Sequence, residues 1–190
     1  MGAMTDRSPV AARFAKVAAG FSQRVDAVPA DAWERPAPCE GWVARDVVRH
    51  LVTWVPGLVA VGSGEVIAPG PDVDADPAGA WEHLRSSLQA ILDDPERSVK
   101  PFRHPQAGDH RLDEAIGQFV LGDVLVHTWD LARATGLDER LDPEEVHGML
   151  VGLEPMGDAL AKSGHYGSPV PVGPDADDQT RLIAFTGRTP

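Results

Sequence analysis

Apolar residues recur every three or four positions along most of the chain, the period of an amphipathic helix and not the alternation of a strand. Ser8 as N-cap and Pro9 at the first helical position open a helix whose buried face is Val10, Phe14, Val17, Phe21, Val25 and Val28. Pro29, Pro36, Pro38 and Gly41 then predict an irregular connection, from which Trp33 and Trp42 fold back onto the core. A second helix is expected over about 43–61, with Val47, Val48, Leu51, Val52, Trp54, Val55, Leu58 and Val59, and with Pro56 kinking it or ending it early. The stretch 62–77 is acidic, rich in Pro and Gly and aperiodic, which predicts a mobile surface loop.

Asp76 and Pro77 have the form of an N-cap followed by Pro at N1, opening a third helix with Trp81, Leu84, Leu88 and Ile91 facing inward, stopped at Asp93-Asp94-Pro95. Residues 95–110 show no clear period and are expected to form a long connection of the kind that borders a site. A fourth, uninterrupted helix is predicted from Leu112 to Thr135 on the spacing of Ile116, Phe119, Val120, Val124, Leu131 and Ala134, with Gly136 as its C-cap. A fifth begins at Asp142-Pro143, where Asp142 and Glu145 outline a capping box, and runs to about Ser163 with a kink at Pro155. Residues 165–174 hold three prolines and read as an irregular tail, and Asp178 to Phe185 predicts one short helix. With no alternating strand pattern and no internal repeat, the fold class is all-α, an up-and-down four-helix bundle with an additional C-terminal helix.

Within these helices, three polar residues fall on apolar stripes. His50 shares a stripe with Val43, Val47, Trp54 and Val61, and Asp123 and His127 share one with Ile116, Val120, Leu131 and Ala134. A buried ionisable group is costly unless paired or bound to metal. Asp123 and His127 are four apart, the spacing that lets two side chains on one helix face reach a single ion. His50, from a facing helix, is the candidate third ligand, and two imidazoles with one carboxylate suit zinc, nickel, iron or cobalt while leaving positions open. The alternative is a metal-free buried hydrogen bond between His50 and Asp123. Asp46, one turn before His50, and Asp130, three residues after His127, are placed to accept the second imidazole N–H of each ring; first-turn dipole stabilisation for Asp46 and an Arg133 pair for Asp130 are the plainer accounts.

Composition narrows the partners. The chain has 190 residues, 43% of them hydrophobic, which is consistent with one domain over residues 5–190 behind a vector-derived scar at residues 1–4. With 17 Lys+Arg against 29 Asp+Glu, the net charge of −12 argues against a nucleic-acid partner. No apolar run reaches membrane-spanning length, and the single Cys39 with no basic-then-apolar N-terminus points to the cytoplasm. Cys39 beside Glu40 is a poor thiolate, and neither a phosphate-cradling Gly-rich loop nor a nucleophile elbow is present.

The segment from Pro38 through Gly41-Trp42 and Arg45-Asp46 to His50-Leu51-Val52, with Gly122-Asp123-Val124-Leu125-Val126-His127-Thr128-Trp129-Asp130 and onward to Gly136, resembles actinobacterial metal-binding proteins. These are related to the N-terminal domain of mycothiol-dependent maleylpyruvate isomerase, in the DinB/YfiT-like superfamily. The tail around Gly167-Ser168-Pro169 and Arg181 to Arg188 resembles the shorter members. The resemblance implies a bundle holding a divalent metal, zinc first, through His50, Asp123 and His127, with mycothiol as cosubstrate of an isomerase or S-transferase-like reaction. The isomerase carries Glu where this chain has Asp123, and it has a further C-terminal domain for which 190 residues leave no room, so maleylpyruvate is not implied as the substrate. His104, His110 and Arg133 are expected to border a small thiol or electrophile. A non-enzymatic metal or small-ligand binding module is the alternative function, and a homodimer is the expected assembly.

Overall fold

The computed structural model describes residues 8–157 and 166–190. Helix α1 spans Pro9–Ala27, α2 Ala44–Ser63 and α3 Pro77–Asp93. The short α4 spans Pro95–Ser98 and is followed by strands β1 (Pro101–His104) and β2 (Gly108–Arg111), then α5 (Leu112–Ala115) and α6 (Leu121–Thr135). Helix α7 spans Pro143–Leu153 and α8 spans Asp178–Phe185. The molecule is mostly helical, consistent with the all-α class. Helix α1 packs against α3 and α6, and α2 packs against the same two helices.

The caps read from sequence form as hydrogen bonds. Ser8 accepts from the Ala11 N–H, Asp76 from Gly79 and Asp142 from Glu144 and Glu145. Glu145 does not complete a capping box; it reaches Arg13 of α1 at 2.6 Å. The core is built from the predicted stripes: Phe14, Phe21, Leu51, Val55, Trp81, Leu88, Ile91, Ile116, Val120 and Leu131 are all buried. Trp81 meets Phe21 edge to face and donates its indole N–H to Ser22. An aromatic body with a satisfied polar tip is thus accommodated inside the core.

Four expectations need correction. Pro56 does not end α2, which runs on to Ser63 with Val55 and Val59 buried on either side of the proline. The connection 95–110 is not irregular: it contains α4 and an antiparallel hairpin in which Phe102 pairs with His110. Phe102 inserts where Gly62 of α2 leaves room, so burial of one aromatic secures strands too short to show alternation. The predicted fourth helix is interrupted by a π-helical turn over Ile116–Val120, where the Leu121 N–H reaches back to the Ile116 carbonyl. Helix α7 ends at Leu153 and gives way to a 3-10 turn, Glu154–Met156, that contains Pro155; residues 158–163 of the predicted helix lie outside the described residues.

Candidate metal centre

The site is assembled from α2, α6, the connection before α2 and the C-terminal tail. The Trp42 N–H bonds the Cys39 carbonyl, closing a tight turn in which Gly41 takes φ +76°, a left-handed value suited to glycine at the third turn position. This turn carries Trp42 onto the two histidines. Its ring centroid lies 5.2 Å from that of His50 and 5.8 Å from that of His127, nearly parallel to the latter.

His50, Asp123 and His127 converge. The His50 Nε2 stands 3.1 Å from Asp123 Oδ2, the His127 Nε2 stands 3.4 Å from Asp123 Oδ1, and the two imidazole centroids are 4.8 Å apart. One donor atom from each residue lies within 4.8 Å of the others. Trp54, one turn after His50, donates its indole N–H to Asp123 Oδ2 at 2.9 Å. Side-chain exposure falls from 30% at His50 through 17% at Asp123 to 5% at His127, so the cluster opens on the α2 side and closes against the core.

A second carboxylate stands behind His127. Asp130 is fully buried and receives the His127 Nδ1–H at 2.8 Å, which fixes the ring's tautomer and turns Nε2 toward Asp123. Asp130 is itself gripped by the Arg188 guanidinium and approached by the Cys39 thiol at 3.6 Å.

These contacts set the protonation states. Burial alone would raise the Asp123 pKa, but the charges and bonds of His127 and then His50 outweigh it and hold the carboxyl well below its usual range. Burial works against a proton on His127, yet Asp123 and the bond to Asp130 prevail and raise the ring to about 9. Asp130 is likewise lowered against its burial by His127 and Arg188. The Cys39 thiol is pushed up to about 12 by burial and then by Asp130. Asp130, not the exposed Glu40, is therefore the anionic neighbour that keeps this cysteine neutral. Burial, then the charge of Asp123, keeps the Tyr166 phenol protonated too.

Other expected contacts fall elsewhere. Asp46 does not reach His50; it accepts the Val43 N–H at the start of α2 and pairs with Arg49. His104 accepts two backbone N–H groups from Gln106 and Ala107, and His110 bonds the Ala107 carbonyl, so both tie the hairpin's own turn. Arg133 pairs with Glu139 and lies over the Trp129 ring, so its guanidinium is already engaged. Asp130 takes Arg188, not Arg133, as its cation. The residues that sequence reasoning missed are Trp42 and Trp54 as site residues, Tyr166, Arg188 and the place of Cys39. Helical spacing put Trp54 on the His50 stripe and so contained one of these signals. No local period could place Arg188 on Asp130, 58 residues away.

The donor set fits a divalent cation. Ligands about 2.1 Å from one tetrahedral ion stand about 3.4 Å apart, and each imidazole nitrogen lies at about that distance from one oxygen of Asp123, His50 from Oδ2 and His127 from Oδ1. With the His127 Nδ1–H given to Asp130, a neutral ring would aim its Nε2 lone pair at Asp123, so that edge calls for either a proton or a metal ion.

Residues 14–132 match the mycothiol maleylpyruvate isomerase N-terminal domain. The chain belongs to that family. An uncharacterized protein of Mycobacterium tuberculosis, matched in two strains of that organism, is 28% identical over 182 residues, covering 89% of this chain and 92% of the relative. No solved structure matches. Among the described residues, no helix is long and apolar enough to cross a membrane.

Proposed function

We propose that this protein is a divalent-metal-dependent enzyme that uses a low-molecular-weight thiol, mycothiol by family, in an isomerase or S-transferase-like reaction. The observation that carries the reading is the convergence of His50, Asp123 and His127 on one edge, with Asp130 fixing the His127 ring from behind. The ring of contacts among α1, α3, α2 and α6 supports a DinB-like four-helix bundle with its ligands on facing helices.

In this reading His50, Asp123 and His127 hold the cation, zinc in the first instance. When bound, the cation lowers the pKa of a thiol or water and polarises a substrate carbonyl. The protein's own groups prepare the ground for that chemistry. Asp130 keeps the His127 Nε2 directed at the ion, Trp54 restrains one oxygen of Asp123, and Trp42 shields both rings from water on one side. The exposed side of His50 leaves the entrance for a thiol and an electrophile.

Elemental analysis of the purified protein beside His127→Ala, with thermal unfolding with and without chelator, tests the reading. Near-stoichiometric metal in the wild type, lost in the variant, with a chelator-sensitive midpoint, is the expected result. A wild type that takes up none of added zinc, nickel or iron would overturn it. Metal uptake without thiol-dependent turnover would leave a binding module in place of an enzyme.

A further inference from the structure

Arg188 comes from the extreme C-terminal segment, yet it sits at the back of the candidate centre with a side chain only 10% exposed. Its Nε lies 3.1 Å from Asp130 Oδ1, and its Nη2 lies 2.8 Å from Asp130 Oδ2. The same Oδ2 receives the His127 Nδ1–H. A planar guanidinium that donates to both oxygens fixes the plane of the carboxylate as well as its charge, and a lysine ammonium cannot span both in that way.

The tail is built to deliver this contact. Helix α8 buries Leu182, Ile183 and Ala184, and the Arg188 N–H closes back on the Ile183 carbonyl. Gly187 sits between them at φ +85°, pressed so closely on Gly167 that a Cβ there would lie 2.6 Å from the Gly167 Cα. The Val170 N–H bonds the Ala184 carbonyl and ties the incoming strand of tail to the same helix. At the other edge of the guanidinium, Nη1 donates to the Thr186 carbonyl and Nη2 reaches the Cys39 sulfur at 3.4 Å. Arg188 is thus held from its far edge by the tail's own backbone and by Cys39 while its near edge, Nε and Nη2, clamps one carboxylate.

We propose that Arg188 is a positioning residue for the centre. By clamping Asp130 it orients His127, so the metal site is complete only when the C-terminal segment is docked. The match to the isomerase N-terminal domain ends at residue 132, so this contribution lies outside the part of the chain on which family membership rests. The inference rests on the metal-binding reading above.

The test is a double-mutant cycle on full-length protein, using Arg188→Lys, Asp130→Asn and the two combined. Zinc affinity is measured by competition with a chromophoric chelator, the cobalt(II) absorption spectrum reports ligand geometry, and the thermal midpoint of metal-free protein serves as the folding control. Arg188→Lys keeps the charge and so should hold the metal-free midpoint within a few degrees. It should weaken zinc about ten- to a hundredfold and alter the cobalt spectrum. Asp130→Asn should weaken zinc to a similar degree but lower the metal-free midpoint, because it leaves the buried Arg188 without its carboxylate. For zinc affinity the combined variant should be no worse than the weaker single, because both act through one hydrogen bond to His127.

Unchanged zinc affinity and an unchanged cobalt spectrum in Arg188→Lys would overturn the inference, as would losses that multiply in the combined variant. Should Arg188→Lys fail to fold, Asp130→Asn with Arg188→Gln removes both charges of the buried pair and carries the same test, with wild-type zinc affinity as the overturning result. The two failures are distinguishable. A wild type that binds no metal removes the metal reading and the inference together, whereas a wild type that binds metal as tightly as Arg188→Lys removes only the inference.

Discussion

In metal-free protein, His127 should lose most of its contribution to stability between about pH 6.5 and pH 9. The ring is 5% exposed and lies between Asp123 and Asp130, so its folded-state pKa is raised from 6.5 to about 9. A group whose pKa is raised on folding stabilises fully below the unfolded value, and that stabilisation is lost as pH climbs through the folded value. At about 1.4 kcal/mol per unit the effect amounts to about 3 kcal/mol, a sizeable part of a total stability on the order of 10 kcal/mol. The assay is urea unfolding of chelator-treated protein at pH 6, 7.5 and 9.5, with His127→Gln as the non-titrating reference. The gap between wild type and variant should close by about 3 kcal/mol over that range. Asp123 and Asp130 act with opposite sign: both are held below the usual 3.8, so their stabilisation is present above that value and is lost on acidification. Zinc competes for the same Nε2 edge, so its apparent affinity should rise with pH through the same window and level off above about 9. A gap that stays constant from pH 6 to 9.5 would refute the reasoning, because His127 would then carry no extra proton affinity from its two carboxylates.

Trp54→Phe keeps the ring but deletes the N–H that Asp123 Oδ2 accepts at 2.9 Å. Stability of the metal-free protein should fall by about 1 to 2 kcal/mol and zinc binding should weaken, as read by chemical unfolding and chelator competition. Gly62→Ala would place a methyl 2.0 to 2.5 Å from three atoms of the Phe102 ring, so it should cost about 1 to 3 kcal/mol by overpacking. Adding Phe102→Leu should recover part of that loss, and a Gly62→Ala variant as stable as wild type would refute the close packing of hairpin on α2.

The long helices were legible because one periodic signal governs them. Phe14, Phe21, Leu88 and Ile91 are buried where a 3.6-residue period puts them, and the caps at Ser8, Asp76 and Asp142 form as written. The hairpin was not legible: its strands are four residues each, and only Phe102 is fully buried along them. The π-turn over Ile116–Val120 is invisible to periodicity because one extra residue per turn shifts the face without changing the residue types. At the site, the helical stripes brought His50, Asp123 and His127 to one place, and the i, i+3 spacing brought Asp130 to His127. Asp46 was misplaced because the same spacing allows two partners, and the unsatisfied Val43 N–H at the start of α2 claims it first. Cys39 and Arg188 lie 149 residues apart and meet through a turn and a tail, for which no local pattern exists.

The two carboxylates of α6 differ in what balances them, and the difference bears on the chemistry. Asp130 is fully buried and its charge is met by Arg188 from within the protein. Among the described residues, the polar contacts of Asp123 are two imidazoles and an indole N–H, none of which carries a fixed charge. Its compensation is therefore supplied by a mobile cation, a proton in metal-free protein and a divalent ion in the proposed holoprotein. With neutral His50 and His127 as the other ligands, a divalent ion against the single charge of Asp123 would leave one net positive charge at the centre. A cluster closed on the core side and open beside His50 would offer that charge to an anion entering from solvent, and a thiolate or hydroxide satisfies it where a neutral thiol or water does not. With a divalent ion bound, the charge pattern would favour the deprotonated nucleophile that the proposed reaction requires.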